Sequence, residues 1–442
     1  MTKILELIHD TVLGIPALVL ILGIGLYLSI QTGFPQITLF TKAVRSFFQT
    51  VKGKDTSSFR ALCTALAATV GTGNLVGVAG AICLGGPGSI FWMWICGLLG
   101  MTTKFAEAVL AVRFRVKHRD GYAGGPMYMI TRGMDRRWHP LAKIYCLLGM
   151  LASFGVGNAA QINAVVTGIN SLTDRNLDVS LGIILAILVG GMLLGGAKRI
   201  GRTAEILVPF VSSAYLLMCI GILIVRAEAI PQAFSAILSG AFSPKAVTGG
   251  VIGSGFQVLR VGCARGVFTN EAGMGTASIA HGGAEVSHPV QQGLMGIMEV
   301  FLDTIVICTL TALVILCSGV PVPYGQDVGG ALTIHAFSTI CGDWSAVFLA
   351  SALCCFAFAT VLGWGLYGGR CAQFLFGEGA WRFFAAAQTV MVFFGATLET
   401  GPVWRISELL NGLMAIPNIL ALAVLSPELR RLTIEYKRKH DR

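Results

Sequence analysis

The sequence predicts an all-α polytopic membrane protein that crosses the lipid bilayer about eleven times. Three observations predict this fold class: 55% of the 442 residues are hydrophobic, only 12% are charged, and the mean hydropathy is +0.75. A soluble globular protein carries about twice that charged fraction. The net charge of +10 comes from basic residues in the connections between apolar runs, so it indicates membrane topology and no nucleic-acid partner.

Runs of roughly 20 apolar residues, the length that a helix needs to cross the hydrocarbon core, recur along the whole chain. We place these spans at 11–33, 60–84, 88–113, 140–170, 179–196, 202–225, 249–283, 290–317, 344–368, 381–398 and 402–425. The first run is too long for a signal-peptide core and lacks a cleavage site, so we expect it to remain as a helix. The run Gly85-Gly86-Pro87-Gly88 leaves room only for a tight turn, so the second and third spans form a hairpin.

Lysine and arginine are concentrated in alternate connections, such as 42–60, 113–137 and 198–202, and in the carboxyl tail. Connections with this bias lie on the cytoplasmic side of a membrane. The sequence therefore predicts a protein of the cell membrane with its amino terminus outside and its carboxyl tail in the cytoplasm.

Two spans carry a pair of glycines near their middle, and these pairs should interrupt the helices. The second span contains Gly71-Thr72-Gly73, and the seventh contains Gly273-Met274-Gly275. Glycine costs roughly 1 kcal/mol relative to alanine in a helix interior, and lipid cannot hydrogen-bond the freed backbone groups. Each break should therefore face protein, water or a ligand. The alternative is that these glycines only allow close helix packing.

The two interrupted spans begin five spans apart, and because five is an odd number they enter the membrane from opposite sides. This arrangement is typical of transporters that are built from inverted repeats. We therefore predict four parts. They are an added helix with a linker (1–59), a first five-helix repeat (60–226), a second, inverted repeat that begins with an extracellular linker (227–425) and a basic tail (426–442).

Seven segments form longer motifs: ALAATVGTGN (65–74), GGPGSIFWMW (85–94), KFAEAVLAVRFR (104–115), GYAGGPMY (121–128), RGVFTNEAGMGTASIAHGGAE (265–285), HPVQQG (288–293) and FAFATVLGW (356–364). In these segments the chain resembles the alanine or glycine:cation symporter family, and the resemblance extends from about residue 11 to 425. It implies a leucine-transporter-like fold with one extra amino-terminal helix. It also implies uptake of a small neutral amino acid coupled to sodium, sometimes to protons.

The first break is the expected site for the substrate carboxylate, because N–H groups of Thr72, Gly73 and Asn74 are free only where the helix is unwound. The second break should line the opposite wall. By resemblance to the family, Gln161 and Trp364 complete the pocket. The predicted substrate residues are Gly71, Thr72, Gly73, Asn74, Gln161, Phe268, Met274, Gly275, Thr276, Thr360 and Trp364.

Two of these side chains have other interpretations. Gln161 is also consistent with a helix–helix hydrogen bond, and Trp364 with an anchor at the membrane interface.

Sodium requires several hard oxygen ligands, and neutral ones suffice. The carbonyls of Ala67 and Val70, a carbonyl near Phe356 and the hydroxyl of Thr360 are the predicted ligands. In the family a hydroxyl residue usually precedes this threonine, whereas this chain has Ala359. Sodium coupling, proton coupling and ion-independent exchange therefore all stay open.

Ionisable residues inside spans are expensive and are commonly functional. Glu271, just before the second break, is expected to carry a coupling proton, to form an ion pair or to cap a half-helix. Lys104 and Glu107 are three residues apart and are expected to pair. Glu299 and Asp303, one helical turn apart, are candidates to face a water-filled path.

The remaining patterns argue against other classes of protein. His281 and His288 are expected to be solvated, and most of the twelve cysteines lie in apolar spans without a C-x-x-C pair, so a metal or disulfide framework is not predicted. The sequence has no nucleophile motif, P-loop or Rossmann fingerprint. We therefore expect no enzyme and no cofactor, with sodium as the coupling ion and alanine, glycine, serine or glutamine as substrate. A single asymmetric pair of breaks also does not suggest a channel filter.

Overall fold

The computed structural model describes residues 14–54, 56–118, 121–173, 175–326, 328–398 and 401–440. The helices of the first half are α1 (Ile15–Thr32), α2 (Pro35–Thr38), α3 (Phe40–Gln49), α4 (Thr56–Thr69), α5 (Val78–Gly85), α6 (Ser89–Arg113), α7 (Pro126–Gly133), α8 (His139–Phe154), α9 (Ala160–Thr173), α10 (Asp178–Leu194) and α11 (Gly196–Val225). Strands β1 (Val116–His118) and β2 (Gly121–Ala123) form an antiparallel hairpin between α6 and α7.

The helices of the second half are α12 (Ile230–Phe242), α13 (Pro244–Val247), α14 (Gly255–Asn270), α15 (Thr276–His281), α16 (Pro289–Val300), α17 (Cys308–Cys317), α18 (Gly329–Cys341), α19 (Trp344–Phe376), α20 (Ala380–Thr397), α21 (Gly401–Val424) and α22 (Ser426–His440). Four π-helical segments interrupt or extend helices, at Thr50–Lys54, Gly73–Gly77, Gly155–Ala159 and Phe301–Ile307. Short 3-10 turns occupy Arg136–Trp138 and Ala227–Ala229.

The first predicted break is present. Helix α4 ends at Thr69, the chain leaves helical geometry at Val70 and Gly71, and it resumes as the π-helical segment Gly73–Gly77 and α5. The two halves are bent by 54°. The glycines next to Thr72 thus interrupt the span, as their helix propensity predicts.

The second break separates α14 from α15, and its backbone is locally left-handed. The φ angles of Glu271, Gly273 and Gly275 are 52°, 94° and 79°. Only glycine adopts such angles without strain, so the two glycines allow the chain to leave helical geometry between α14 and α15. The prediction that this span begins at 249 is wrong, because α14 begins at Gly255 after an irregular connection.

The described residues contain six helices that are long and apolar enough to cross a membrane, or up to eight if each bent pair counts as one span. The count of about eleven is not confirmed, and the predicted domain boundaries stay a prediction. Hydropathy alone did not indicate the shorter helices α3, α7, α12, α18 and α22, which lie in or beside the predicted connections. Their lengths of 8 to 15 residues are below the roughly 20 residues that a span needs.

Small residues let the broken helices approach the scaffold closely. Helix α14 packs along α6, where a Cβ added at Gly262 would lie 2.3 Å from the carbonyl oxygen of Ser89. Helix α19 approaches α4 in the same way, because a Cβ added at Gly363 would lie 2.9 Å from the Cβ of Ala68. Close packing therefore explains some of the glycines in these spans, whereas those at 71, 273 and 275 lie in the breaks.

Candidate substrate and ion site

A small cavity lies beside the first break. Its lining residues are Ala68, Thr69, Gly71, Thr72, Gly73, Val156, Gln161, Phe268, Glu271, Thr360, Trp364 and Asn411. The structure thus places Gly71, Thr72 and Gly73 together with Gln161, Phe268, Thr360 and Trp364, as the sequence predicted. It does not place Asn74, Met274, Gly275 or Thr276 in the lining.

Asn74 holds the first break in place. Its side-chain oxygen accepts a hydrogen bond from the backbone amide of Gly71 at 2.8 Å. Its backbone amide donates to the Gly71 carbonyl at 3.2 Å. The prediction that the Asn74 amide faces the substrate carboxylate is therefore wrong, because that donor is already used inside the break. The amides of Thr72 and Gly73 remain the candidates from this segment.

Glu107 on α6 holds the second break. Its Oε1 accepts hydrogen bonds from the amides of Gly273 and Gly275, each at 3.0 Å, and from the side chain of Asn418 at 2.8 Å. The hydroxyl of Tyr145 donates to the Met274 carbonyl at 3.2 Å. These contacts bind the backbone of the second break to the scaffold. Met274 and Gly275 are not among the lining residues of the cavity, and their role in substrate binding stays a prediction.

Glu271 is the ionisable residue among the lining residues, and the sequence had not placed it there. Its Oε1 accepts a hydrogen bond from the Trp364 indole at 3.2 Å, and its Oε2 accepts one from the Thr276 hydroxyl at 2.7 Å. Thr276 therefore supports Glu271 instead of lining the wall itself. The side chain of Trp364 is only 1% exposed, so its interpretation as an interfacial anchor is wrong.

Gln161 makes two long hydrogen bonds. The hydroxyl of Thr72 donates to its Oε1 at 3.3 Å, and its Nε2 donates to the Val156 carbonyl at 3.3 Å. Both distances lie just beyond the usual ranges for such hydrogen bonds, so the two bonds are weak. The amide of Gln161 can therefore exchange these partners for a ligand at small cost.

The candidate cation position lies where the first half-helix ends, next to Thr360 of the cavity lining. The hydroxyl of Thr360 donates to the Ala67 carbonyl at 3.1 Å, which brings together one oxygen from each of two predicted ligand segments. Phe356, Ala359 and Val70 are buried near these residues in sequence. A carbonyl and a hydroxyl in contact fit a sodium ion, which accepts neutral oxygen ligands.

The buried charges form a different network from the predicted one. Lys104 lies 3.0 Å from Glu299, so the predicted pair with Glu107 is wrong. His281 is fully buried and lies 2.8 Å from the second oxygen of Glu299, so its predicted solvation is also wrong. The side chain of Gln292 contacts the other ring nitrogen of His281 at 2.6 Å.

The π-helical segment Gly155–Ala159 was missed, although it positions Val156 in the cavity lining. A Cβ added at Gly157 would lie 2.3 Å from the Trp364 ring, so the indole packs directly on this backbone. The glycines at 155 and 157 in the predicted fourth span were the available signal, because π-bulges are common at functional sites. No feature of the sequence indicated that Asn411 lines the cavity.

The chain resembles known transporters over its whole length. A family model described as the sodium:alanine symporter family matches residues 1–442. The sodium/alanine symporter AgcS of Methanococcus maripaludis is 41% identical, covering 96% of this chain and 94% of that protein. The probable sodium/glutamine symporter GlnT of Bacillus subtilis is 35% identical, covering 96% of this chain and 88% of that protein.

Solved structures show the same fold. The transporter MhsT in complex with L-phenylalanine aligns with a TM-score of 0.58 at 14% identity, covering 85% of this chain and 97% of that chain. The chain is therefore a multi-pass membrane transporter of the leucine-transporter fold, and not an enzyme. Two of its relatives are named as a sodium/alanine symporter and a probable sodium/glutamine symporter. The chain belongs to the sodium:alanine symporter family.

Proposed function

We propose that the protein imports a small neutral amino acid of the alanine or glycine type together with sodium, by alternating access across the cell membrane. Serine and glutamine are further candidate substrates. In this proposal the amino terminus is outside and the carboxyl tail is cytoplasmic, as the basic connections suggest.

One observation carries the proposal: the cavity has chemistry for both ends of a zwitterion. Thr72 and Gly73 line the cavity, and backbone amides that are freed where the helix unwinds can donate to a carboxylate. The carboxyl group of Glu271 lies at the cavity as well and complements an ammonium group. Trp364 and Phe268 add apolar surface that favours a small side chain.

The cation role rests on the contact between Thr360 and Ala67. Gly71 connects this position to the cavity, because a Cβ added at Gly71 would lie 3.0 Å from the Thr360 hydroxyl and 3.9 Å from Gln161. An ion bound there would order the same break that the substrate uses. By linkage, sodium should raise substrate affinity, and substrate should raise sodium affinity by the same factor.

The test is uptake of labelled alanine into proteoliposomes under imposed sodium or proton gradients. We expect a sodium gradient to drive accumulation. Accumulation driven only by a proton gradient would favour proton coupling. Uptake that is unaffected by either gradient would favour an exchanger. Either of the last two results would contradict sodium symport.

Replacing Gln161 by alanine should weaken substrate binding by about tenfold, the value of a net hydrogen bond of about 1.4 kcal/mol. The long bonds of Gln161 to Thr72 and Val156 suggest that its amide is available to a ligand. Equilibrium binding of labelled alanine to the purified variant measures the effect. Unchanged affinity in a folded variant would mean that Gln161 only links two helices.

Replacing Ala359 by serine should raise the apparent sodium affinity several-fold. Ala359 is buried directly before Thr360, so the new hydroxyl would supply the ligand that the family usually has at this position. The measurement is the sodium concentration at half-maximal uptake, with the exposed Ser351→Ala change on the same helix as a control. An unchanged sodium dependence would show that position 359 does not face the ion.

A further inference from the structure

Asp303 is a fully buried carboxyl group outside the cavity lining, on the far side of the first break. It lies in the π-helical segment Phe301–Ile307 between α16 and α17. Its Oδ1 accepts a hydrogen bond from the Asn74 amide at 2.7 Å, and its Oδ2 accepts one from the Thr304 hydroxyl at 2.9 Å. Both donors are neutral, and burying an ionised carboxylate among neutral groups is expensive.

Within the part of the chain that the structure describes, the charged groups around Asp303 do not supply a dedicated counter-ion. From α6 the groups are Lys104 and Glu107, and Lys104 already lies 3.0 Å from Glu299, which is one turn before Asp303 on its own helix. From α14 they are Arg260, which is exposed, and Arg265, which is half-buried. The first break and α17 supply no charged residue, although the thiol of Cys308 on α17 lies 3.4 Å from the Asn74 amide.

The buried interior as a whole carries more acidic than basic groups. Among the described residues, the buried carboxyl groups near the two breaks are those of Glu107, Glu271, Glu299 and Asp303, against the ammonium group of Lys104 and the ring of His281. Lys104 and His281 both bind Glu299. A proton or a bound cation is therefore required to balance the remaining carboxylates.

We propose that Asp303 is a proton-binding site that competes with the cation at the first break. The side chain of Asn74 connects Asp303 to the first break. Its Nδ2 donates to Asp303, and its Oδ1 accepts from the backbone amide of Gly71. Gly71 in turn lies against Thr360 of the candidate cation position. An ionised Asp303 places negative charge behind the break and favours a cation there. When a solvent proton binds to a carboxylate oxygen, that charge is removed and cation binding weakens.

The inference rests on the proposed sodium symport and is tested with the full-length protein in proteoliposomes. The measurement is the sodium concentration at half-maximal alanine uptake across a series of pH values. For the wild type we expect this concentration to rise as pH falls, by up to about tenfold per pH unit, the limit for one competing proton. The Asp303→Asn change keeps the side-chain size. In this variant the sodium concentration at half-maximal uptake should rise by less than about twofold per pH unit.

Two further variants make the result decisive. Asp343→Asn removes an exposed carboxyl group before α19 and should keep the wild-type pH dependence. Asp303→Glu restores a titratable group and should recover the pH dependence even if Asp303→Asn folds poorly. An unchanged pH dependence in folded Asp303→Asn would overturn the proposal.

Three other outcomes identify different errors. Because asparagine resembles the protonated carboxyl group, Asp303→Asn should require at every pH the high sodium concentration that the wild type requires at low pH. If the variant instead keeps the low sodium requirement of the wild type at high pH, the charge of Asp303 does not act on the cation and the proton assignment is wrong. If the wild type itself shows no sodium dependence, the proposed symport fails. If alanine uptake by the wild type depends on sodium but its sodium requirement does not change with pH, the proton site is wrong and the proposed symport stands.

Discussion

Replacing Gly71 by alanine should reduce alanine uptake about ten- to hundredfold, because overpacking in a well-packed site typically costs 1–3 kcal/mol. The new Cβ would lie 3.0 Å from the Thr360 hydroxyl, which is closer than ordinary van der Waals contact. Thr360 would have to move away from the Ala67 carbonyl that it now contacts at 3.1 Å. The same methyl group would also project into the cavity near Gln161. We therefore expect both sodium affinity and substrate affinity to fall.

Gly77 provides the matched control. It lies in the same broken helix, at the end of the π-helical segment, and a Cβ added there meets no atom within 4 Å. Gly77→Ala should therefore transport at a rate close to that of the wild type. The measurements are initial uptake rates and sodium titrations for both variants, normalised to protein in the membrane. Equal activity of the two variants would show that the first break is not the binding segment.

The local chemistry of the sequence was sufficient to predict the positions of the two breaks. Paired glycines in an apolar span lower helix stability wherever the chain folds, so Gly71 and Gly273 indicate breaks without any tertiary information. The cavity residues Gln161 and Trp364 came only from the resemblance to a family. Hydropathy treats them as single polar or aromatic residues in long apolar helices.

The partners of the buried charges could not be predicted in this way. Lys104 and Glu107 have the spacing of a helical pair, yet Lys104 binds Glu299, which is 195 residues away in the sequence, and Glu107 binds the second break. The helix rotation that separates them is set by packing against α16 and α14, which local spacing does not contain. The same limit explains His281, whose burial depends on its position between Glu299 and Gln292.

The positions of helix ends and the number of spans depend on backbone conformation, which hydropathy does not measure. The residues from Gly249 to Ser254 are apolar or small enough to extend a predicted span, but Gly249 and Gly250 have φ angles of 62° and 89° and cannot continue a helix. The chain before α14 is therefore irregular. A window average treats such residues as part of the span, because it measures transfer into lipid and not backbone conformation.

Replacing Glu271 by glutamine should weaken alanine binding about 10- to 100-fold, because a hydrogen bond to a charged group contributes about 1.5–3 kcal/mol. The change removes the negative charge from the cavity but preserves the size of the side chain. The glutamine oxygen can still accept from the Trp364 indole, and its amide can donate to the Thr276 hydroxyl, which rotates. The second break should therefore keep its structure while it loses its partner for an ammonium group.

A ligand comparison separates this role from a structural one. Competition by alanine should weaken in Glu271→Gln, whereas competition by propionate, which has the carboxylate but no ammonium group, should stay the same or improve. Glu435→Gln, at an exposed position on α22, is the control for loss of one acidic side chain. Equal losses for both ligands would indicate a distorted cavity, and unchanged alanine affinity would leave Glu271 as a support for Trp364. A loss confined to alanine would instead mean that the two ends of one zwitterion are held by the two breaks, which connects substrate recognition directly to the pair of interrupted helices.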